Sequence, residues 1–96
     1  MAGCDVARPP VPVAVTLRDS LVGEGQVAVF SNQTPNRLTV RVVLENAAAN
    51  DRKEGNLDLD PNGTAEIGWM EGWKFVSGET ITISHPGYRS QTFRVP

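Results

Sequence analysis

The sequence predicts a small all-β domain, and three observations support that prediction. Nine Gly and seven Pro are spread along 96 residues, so turn-forming residues interrupt most stretches long enough for a helix. Between them lie short runs rich in Val, Ile, Thr and aromatic residues. These runs recur about every 8–12 residues, which is typical of a sandwich or barrel. A chain of this size can bury about 60–70% of its unfolded surface, enough for one modest core and a single domain.

Seven runs show the alternation expected of strands. They span Val11–Arg18, Gln26–Asn32, Leu38–Glu45, Asn56–Asp60, Thr64–Trp69, Thr80–Ser84 and Tyr88–Val95. The third is the clearest, because four aliphatic residues share one face and polar residues dominate the other. These four are Leu38, Val40, Val42 and Leu44. Pro12 cannot donate a hydrogen bond to a neighbouring strand, so the first strand is predicted to lie at a sheet edge.

Three connections between these runs can be interpreted from composition. Asp60–Gly63 reads Asp-Pro-Asn-Gly, which favours a tight reversal because Asn and Gly tolerate the left-handed conformation. A second turn is predicted at 85–87, His-Pro-Gly. Asn46–Glu54, with three Ala, could form about one or two helical turns. Seven short strands in about 85 residues predict an immunoglobulin-like or fibronectin-type β-sandwich; a five-stranded barrel with extra edge strands is the alternative.

Charge and composition exclude several classes of function. The net charge is −2, so the chain lacks the basic surface that nucleic acids require. One Cys and one His exclude an internal disulfide and a zinc site made by this chain alone. Ser84 and His85 are neighbours in sequence, and adjacent residues of an extended strand point to opposite faces, so they cannot pair directly. No phosphate loop or nucleophile motif is present. We therefore expect a non-catalytic protein without a cofactor.

The N-terminus carries the clearest functional signal. Met1-Ala2-Gly3-Cys4 resembles the cleavage box of bacterial lipoproteins, in which small residues precede the Cys that receives the lipid. The resemblance implies that Cys4 is the lipid attachment site, that a signal peptide precedes it, and that Met1 was placed on a trimmed sequence. Asp5 after the Cys resembles a signal for retention in the inner membrane. The alternative is a native start at Met1, with Cys4 an ordinary thiol in a cytoplasmic protein.

A short tether is predicted between this box and the domain. Asp5–Pro10 reads DVARPP, and adjacent prolines favour an extended, semi-rigid path. Residues 1–10 are therefore interpreted as a tether and residues 11–96 as the sandwich domain. Residues 24–95 also resemble small bacterial envelope domains of the FxLYD and fibronectin-like kind. The matching stretches are GQVAVFSNQTPNRLTVRVVL, LDLDPNGTAEIG and SGETITISHPGY, and the resemblance implies the fold without any active residues.

Two features could bind a partner. Trp69 and Trp73 belong to the densest aromatic cluster, which favours filling one end of the core. If exposed, they would bind a protein or stack against sugar rings. Val43 is predicted to point outward between Arg41 and Glu45, and the first strand, which contains Pro12, is predicted to leave a weak sheet edge that could pair with another chain. A charge at Val43 should then abolish association without unfolding the monomer.

One segment resembles a calcium loop in spacing. Residues 58–63 match D-x-D-x-N-G, which makes Asp58, Asp60 and Asn62 weak metal-ligand candidates. The twelfth position, where such a loop needs an acidic side chain, is Trp69. We therefore expect a polar turn and no metal.

Together, these patterns predict a non-catalytic lipoprotein domain at the periplasmic face of a bacterial membrane. It would act as a structural module or bind another envelope protein. The alternative is a carbohydrate-binding or adhesive domain that uses Trp69 and Trp73.

Overall fold

The computed structural model describes residues 8–19, 25–68, 73 and 75–96. Seven strands occur in this part of the chain: β1 (Val13–Asp19), β2 (Gln26–Asn32), β3 (Leu38–Asn46), β4 (Asp51–Leu59), β5 (Thr64–Ile67), β6 (Thr80–Ser84) and β7 (Gln91–Arg94). They form two antiparallel sheets, ordered β1-β2-β5 and β4-β3-β6-β7. The described residues contain no helix, and so none that could cross a membrane. The all-β prediction is confirmed.

The buried side chains of both sheets form one core. The smaller sheet contributes residues such as Ala28 and Phe30, and the larger sheet contributes Val40, Ile81 and Ile83, all fully buried. The inward faces predicted for the third and sixth strands are confirmed, because apolar alternation reports directly on which face escapes water. β1 is an edge strand, as Pro12 predicted.

The segment Asn46–Glu54 is not helical, so that prediction is wrong. β3 continues to Asn46, four turn residues follow, and β4 begins at Asp51. Asn50 adopts a left-handed φ of 57°, and the Asn46 side-chain oxygen accepts a hydrogen bond from the Ala49 N–H at 3.0 Å. One or two isolated helical turns are marginal in water, whereas this hairpin pairs nine residues of β4 with nine of β3.

The two predicted turns are confirmed. Asn62 has a φ of 54°, and the Gly63 N–H donates to the Asp60 carbonyl at 2.8 Å. In the second turn the Tyr88 N–H donates to the His85 carbonyl at 3.1 Å. The last strand begins at Gln91 rather than at Tyr88, because the backbone of Arg89 instead pairs with the N-terminal segment.

The β1/β7 seam is the side of the molecule where β1 and β7 lie. There residues 8–11, which precede β1, hydrogen-bond to Arg89 and Gln91 at the start of β7. The Val11 N–H donates to the Arg89 carbonyl at 3.0 Å, and the Arg89 N–H donates to the Pro9 carbonyl at 2.9 Å. The Gln91 side chain donates to the Val11 carbonyl at 2.7 Å. Residues 8–10, interpreted from sequence as part of the tether, are therefore attached to the domain.

Candidate functional site

The opposite side of the molecule, where β4 and β5 lie (the β4/β5 seam), is left open by the residues that the structure describes. A cleft of about 200 Å³ lies there, and its walls come from both sheets. Its lining residues are Val42, Leu44, Lys53, Glu54, Gly55, Asn56, Leu57 and Ile67. Small-molecule sites usually enclose about 300–1,000 Å³. The cleft is therefore large enough for one or two apolar side chains.

Gly55 creates much of this opening. It lies at the centre of β4, opposite Val42 of β3, on the inward face that it shares with Leu57 and Leu59. A Cβ atom built at Gly55 would meet no atom within 4 Å. A glycine inside a strand often marks a place where another backbone or a ligand approaches closely.

The outer edge of β4 is the second feature of the β4/β5 seam. Among the described strands, β4 pairs only with β3, and residues 51–56 are all exposed. One row of its backbone N–H and C=O groups therefore faces away from the sheet. Such a row is a template for an additional strand.

Ion pairs order the outward face of β4. The Arg52 guanidinium lies 2.6 Å from the Glu54 carboxylate, and Arg41 of β3 also pairs with Glu54. These groups are largely exposed to solvent, so each pair contributes only about 0–1 kcal/mol to stability. The outward face of β4 therefore carries exposed charges of both signs.

Val43 lies on the same outward face, as the alternation predicted, but it is covered. It is only 9% exposed and lies opposite Glu54 on one side and Thr82 on the other. Because β3 is paired on both sides, Val43 cannot offer a free strand edge. Contact between Val43 and a partner stays a prediction. The sheet edge nearest to Val43 is the outer edge of β4.

Trp73 is half-buried, and its side chain contacts both Phe75 and Glu79. Its ring lies 6.3 Å from that of Phe75, tilted by 57°, and its indole N–H donates to the Glu79 carboxylate at 3.4 Å. Glu79 is 4% exposed and also accepts bonds of 2.7 Å from the Val76 N–H and the Asn46 amide. This geometry agrees with the interpretation of Trp73 as a core-filling residue. Trp69 and Cys4 lie outside the described residues.

Two of the weak metal-ligand candidates, Asp58 and Asp60, form ion pairs with Arg37. The Arg37 guanidinium lies 2.9 Å from Asp60 and 3.5 Å from Asp58, while the Thr39 hydroxyl donates to Asp58 at 2.6 Å. Asn62 contributes its left-handed backbone to the turn. Within the described ranges, no group of three or more His, Cys, Asp or Glu side chains could hold a metal ion.

Comparisons of the chain with protein-family models, with curated proteins and with solved structures find no match. The role proposed below for the β4/β5 seam therefore rests on the residues of this chain.

Sequence reasoning missed the first half of β4, and the reason is local. The inward positions of this half are Asp51, Lys53 and Gly55, which give no apolar alternation. One signal could have identified it: Arg52 lies opposite Glu45 in an antiparallel hairpin, and opposite charges in such pairs are favourable. A second signal is Asn50, because Asn tolerates the left-handed backbone that ends this four-residue turn.

Proposed function

We propose that this chain is a non-catalytic module of the bacterial cell envelope, anchored to a membrane through Cys4, that binds another protein through the edge of β4. The observation that carries the binding role is the combination of a nine-residue edge strand with an apolar cleft beside it. Strand addition uses backbone hydrogen bonds for affinity and pockets for alternate side chains for specificity. Both features occur together at the β4/β5 seam.

The strand order supports an immunoglobulin-like or fibronectin-type sandwich as the fold of this module. The first, second and fifth strands share one sheet, and the third, sixth and seventh share the other. The same division separates strands A, B and E from C, F and G in immunoglobulin-like sandwiches. β4 extends the second sheet beside the third strand, as strand C′ does in variable-type domains.

The position of the N-terminal segment is compatible with such an anchor. Residues 9–11 hydrogen-bond to Arg89, just before β7, whereas β4 is at the opposite edge of the same sheet. These edges are three strand spacings apart, about 14 Å. A membrane attached through residues 4–8 would therefore leave β4 accessible.

Lipid labelling tests the anchor. Expressed from its own gene, the protein should fractionate with membranes and incorporate labelled fatty acid, because two or more acyl chains give stable attachment. Cys4→Ser should abolish both, while Ser90→Ala, a change at an exposed loop position, should abolish neither. Labelling that persists in Cys4→Ser, or a protein that never reaches the membrane fraction, would contradict the anchor.

Site-specific photo-cross-linking in cells tests the binding edge. A photoreactive residue at Asn56 on β4 should give a cross-linked protein adduct, because this exposed position borders the cleft. The matched position is Thr92, exposed on the other edge strand of the same sheet, β7. Adducts of equal yield at both positions, or none at Asn56, would rule out a role specific to β4.

A further inference from the structure

We infer that the protein bound at the β4 edge is a second copy of this chain, paired antiparallel through β4 about a twofold axis at Gly55. This inference rests on the proposed use of the β4 edge as a binding site. Its argument is charge complementarity within one nine-residue strand. The resulting assembly would be one continuous eight-stranded sheet, built from two four-stranded sheets of the kind described.

Pairing about Gly55 places opposite charges against each other. In this register Asp51 of one copy lies opposite Leu59 of the other, so all nine residues of both strands pair. Arg52 lies opposite Asp58 of the second copy, and the twofold axis repeats that pair. Both side chains belong to the outward face of β4 and are exposed. Opposite charges directly across an antiparallel pair are favourable.

Neighbouring registers are less favourable. A shift of one residue turns the two inward faces to opposite sides of the joined sheet. A shift of two in one direction places Glu54 opposite Glu54 of the second copy. The same shift in the other direction places Glu54 opposite Asp58. Like charges in direct opposition are destabilising, and both shifts lose paired residues at the ends. The charges on the outward face of β4 therefore favour the register centred on Gly55 over these neighbouring registers.

The cleft provides a place for an apolar side chain of the second copy. In the favoured register Leu57 of that copy lies opposite Lys53 and diagonal to Gly55, on the inward face. Lys53 and Gly55 both line the cleft, together with Val42 and Ile67. Leu57 is only partly buried in the single chain. Pairing would cover it in both copies and fill the space that the absent Gly55 side chain leaves open.

A heterodimer formed by charge reversal tests this register directly. Arg52→Asp makes positions 52 and 58 both acidic, and Asp58→Arg makes both basic. Each variant alone should self-associate about 10- to 30-fold more weakly than the parent, since two like-charged pairs replace two attractive ones. An equimolar mixture should associate again, because every 52–58 pair is then of opposite charge. Sedimentation equilibrium, on chains that also carry Cys4→Ser to prevent an intermolecular disulfide, measures all three.

Matched controls separate pairing from general effects of charge. Arg94→Asp alters an exposed position on β7 and should leave self-association unchanged. The unfolding midpoint of each variant shows whether the monomer remains folded. A parent chain that stays monomeric to about 1 mM, or a mixture that fails to associate, would overturn the inference.

The cross-link at Asn56 distinguishes this inference from the broader proposal. An adduct of twice the mass of the chain supports the second copy. An adduct that contains a different protein overturns self-pairing but retains the binding role of β4. If Asn56 gives no adduct, both fail.

Discussion

Asn32 connects the end of β2 to two loops, and it does so through all of its side-chain hydrogen-bonding groups. It is only 2% exposed. Its amide donates to the Asn36 carbonyl at 2.8 Å and to the Asp60 carbonyl at 3.0 Å. Its side-chain oxygen accepts from the Thr34 N–H at 3.0 Å and from the Thr34 hydroxyl at 2.8 Å. A buried polar side chain is tolerated when each group has a partner.

Asn32→Asp should therefore lower the free energy of unfolding by about 2–4 kcal/mol at neutral pH. The new carboxylate would face two carbonyl oxygens that lose their donor, and it would be buried without a cation. Urea denaturation measures the change. The matched control is Asn36→Asp, whose side chain is exposed and which should change stability by less than about 0.5 kcal/mol. Similar midpoints for the two variants would show that the Asn32 hydrogen bonds do not stabilise the fold.

At the scale of the element, the β3–β4 hairpin buries an aliphatic residue on its outer face. Val43 is not part of the main core cluster, yet it is covered on a face that carries Arg41, Arg52 and Glu54. Long charged side chains often bury their aliphatic stems against apolar surface while their charged ends remain in water. The outer face of this sheet is therefore a polar layer over a small apolar contact.

A pair of substitutions at Val43 tests this arrangement. Val43→Asp should lower the free energy of unfolding by about 2–3 kcal/mol, because it loses apolar burial and places a carboxylate opposite Glu54. Val43→Lys should cost less, since its stem can cover the same surface and its ammonium faces Glu54. The difference between the two should shrink in high salt. Equal, negligible losses in thermal unfolding would show that this face is not covered.

At the scale of the whole molecule, the two seams between the sheets differ. The β1/β7 seam is connected by backbone and side-chain hydrogen bonds of residues 9–11, and both Val11 and Val95 are buried there. The β4/β5 seam holds the open cleft. Strands paired on both sides, β2, β3 and β6, lie between these two edges.

Hydrogen exchange in dilute solution should reflect this asymmetry. Amides of β2, β3 and β6 should exchange slowly, through global unfolding, whereas amides in residues 51–56 should exchange faster through local opening. The Val11 and Arg89 amides, at the closed seam, provide the comparison for non-central backbone. Protection of residues 51–56 equal to that of β3 in a monomeric sample would mean that another segment covers β4.

The sequence by itself determined the all-β class, the inward faces of β3 and β6, the edge position of β1 and the turns at Asp60–Gly63 and 85–87. Each depends on local chemistry: apolar alternation, the missing N–H of Pro12, or residues that tolerate a left-handed backbone.

Only the tertiary structure decided where β4 begins, how Val43 is covered and that residues 8–10 attach beside Arg89. Asp51, Lys53 and Gly55 carry no apolar pattern, and they form a strand because the edge of β3 is available to pair with them. The cleft has the same cause. Pairing with β3 holds Gly55 in β4, and space remains between the sheets because Gly55 has no side chain. Such features depend on partners distant in sequence, whose pairing is set by the packed core rather than by local preference.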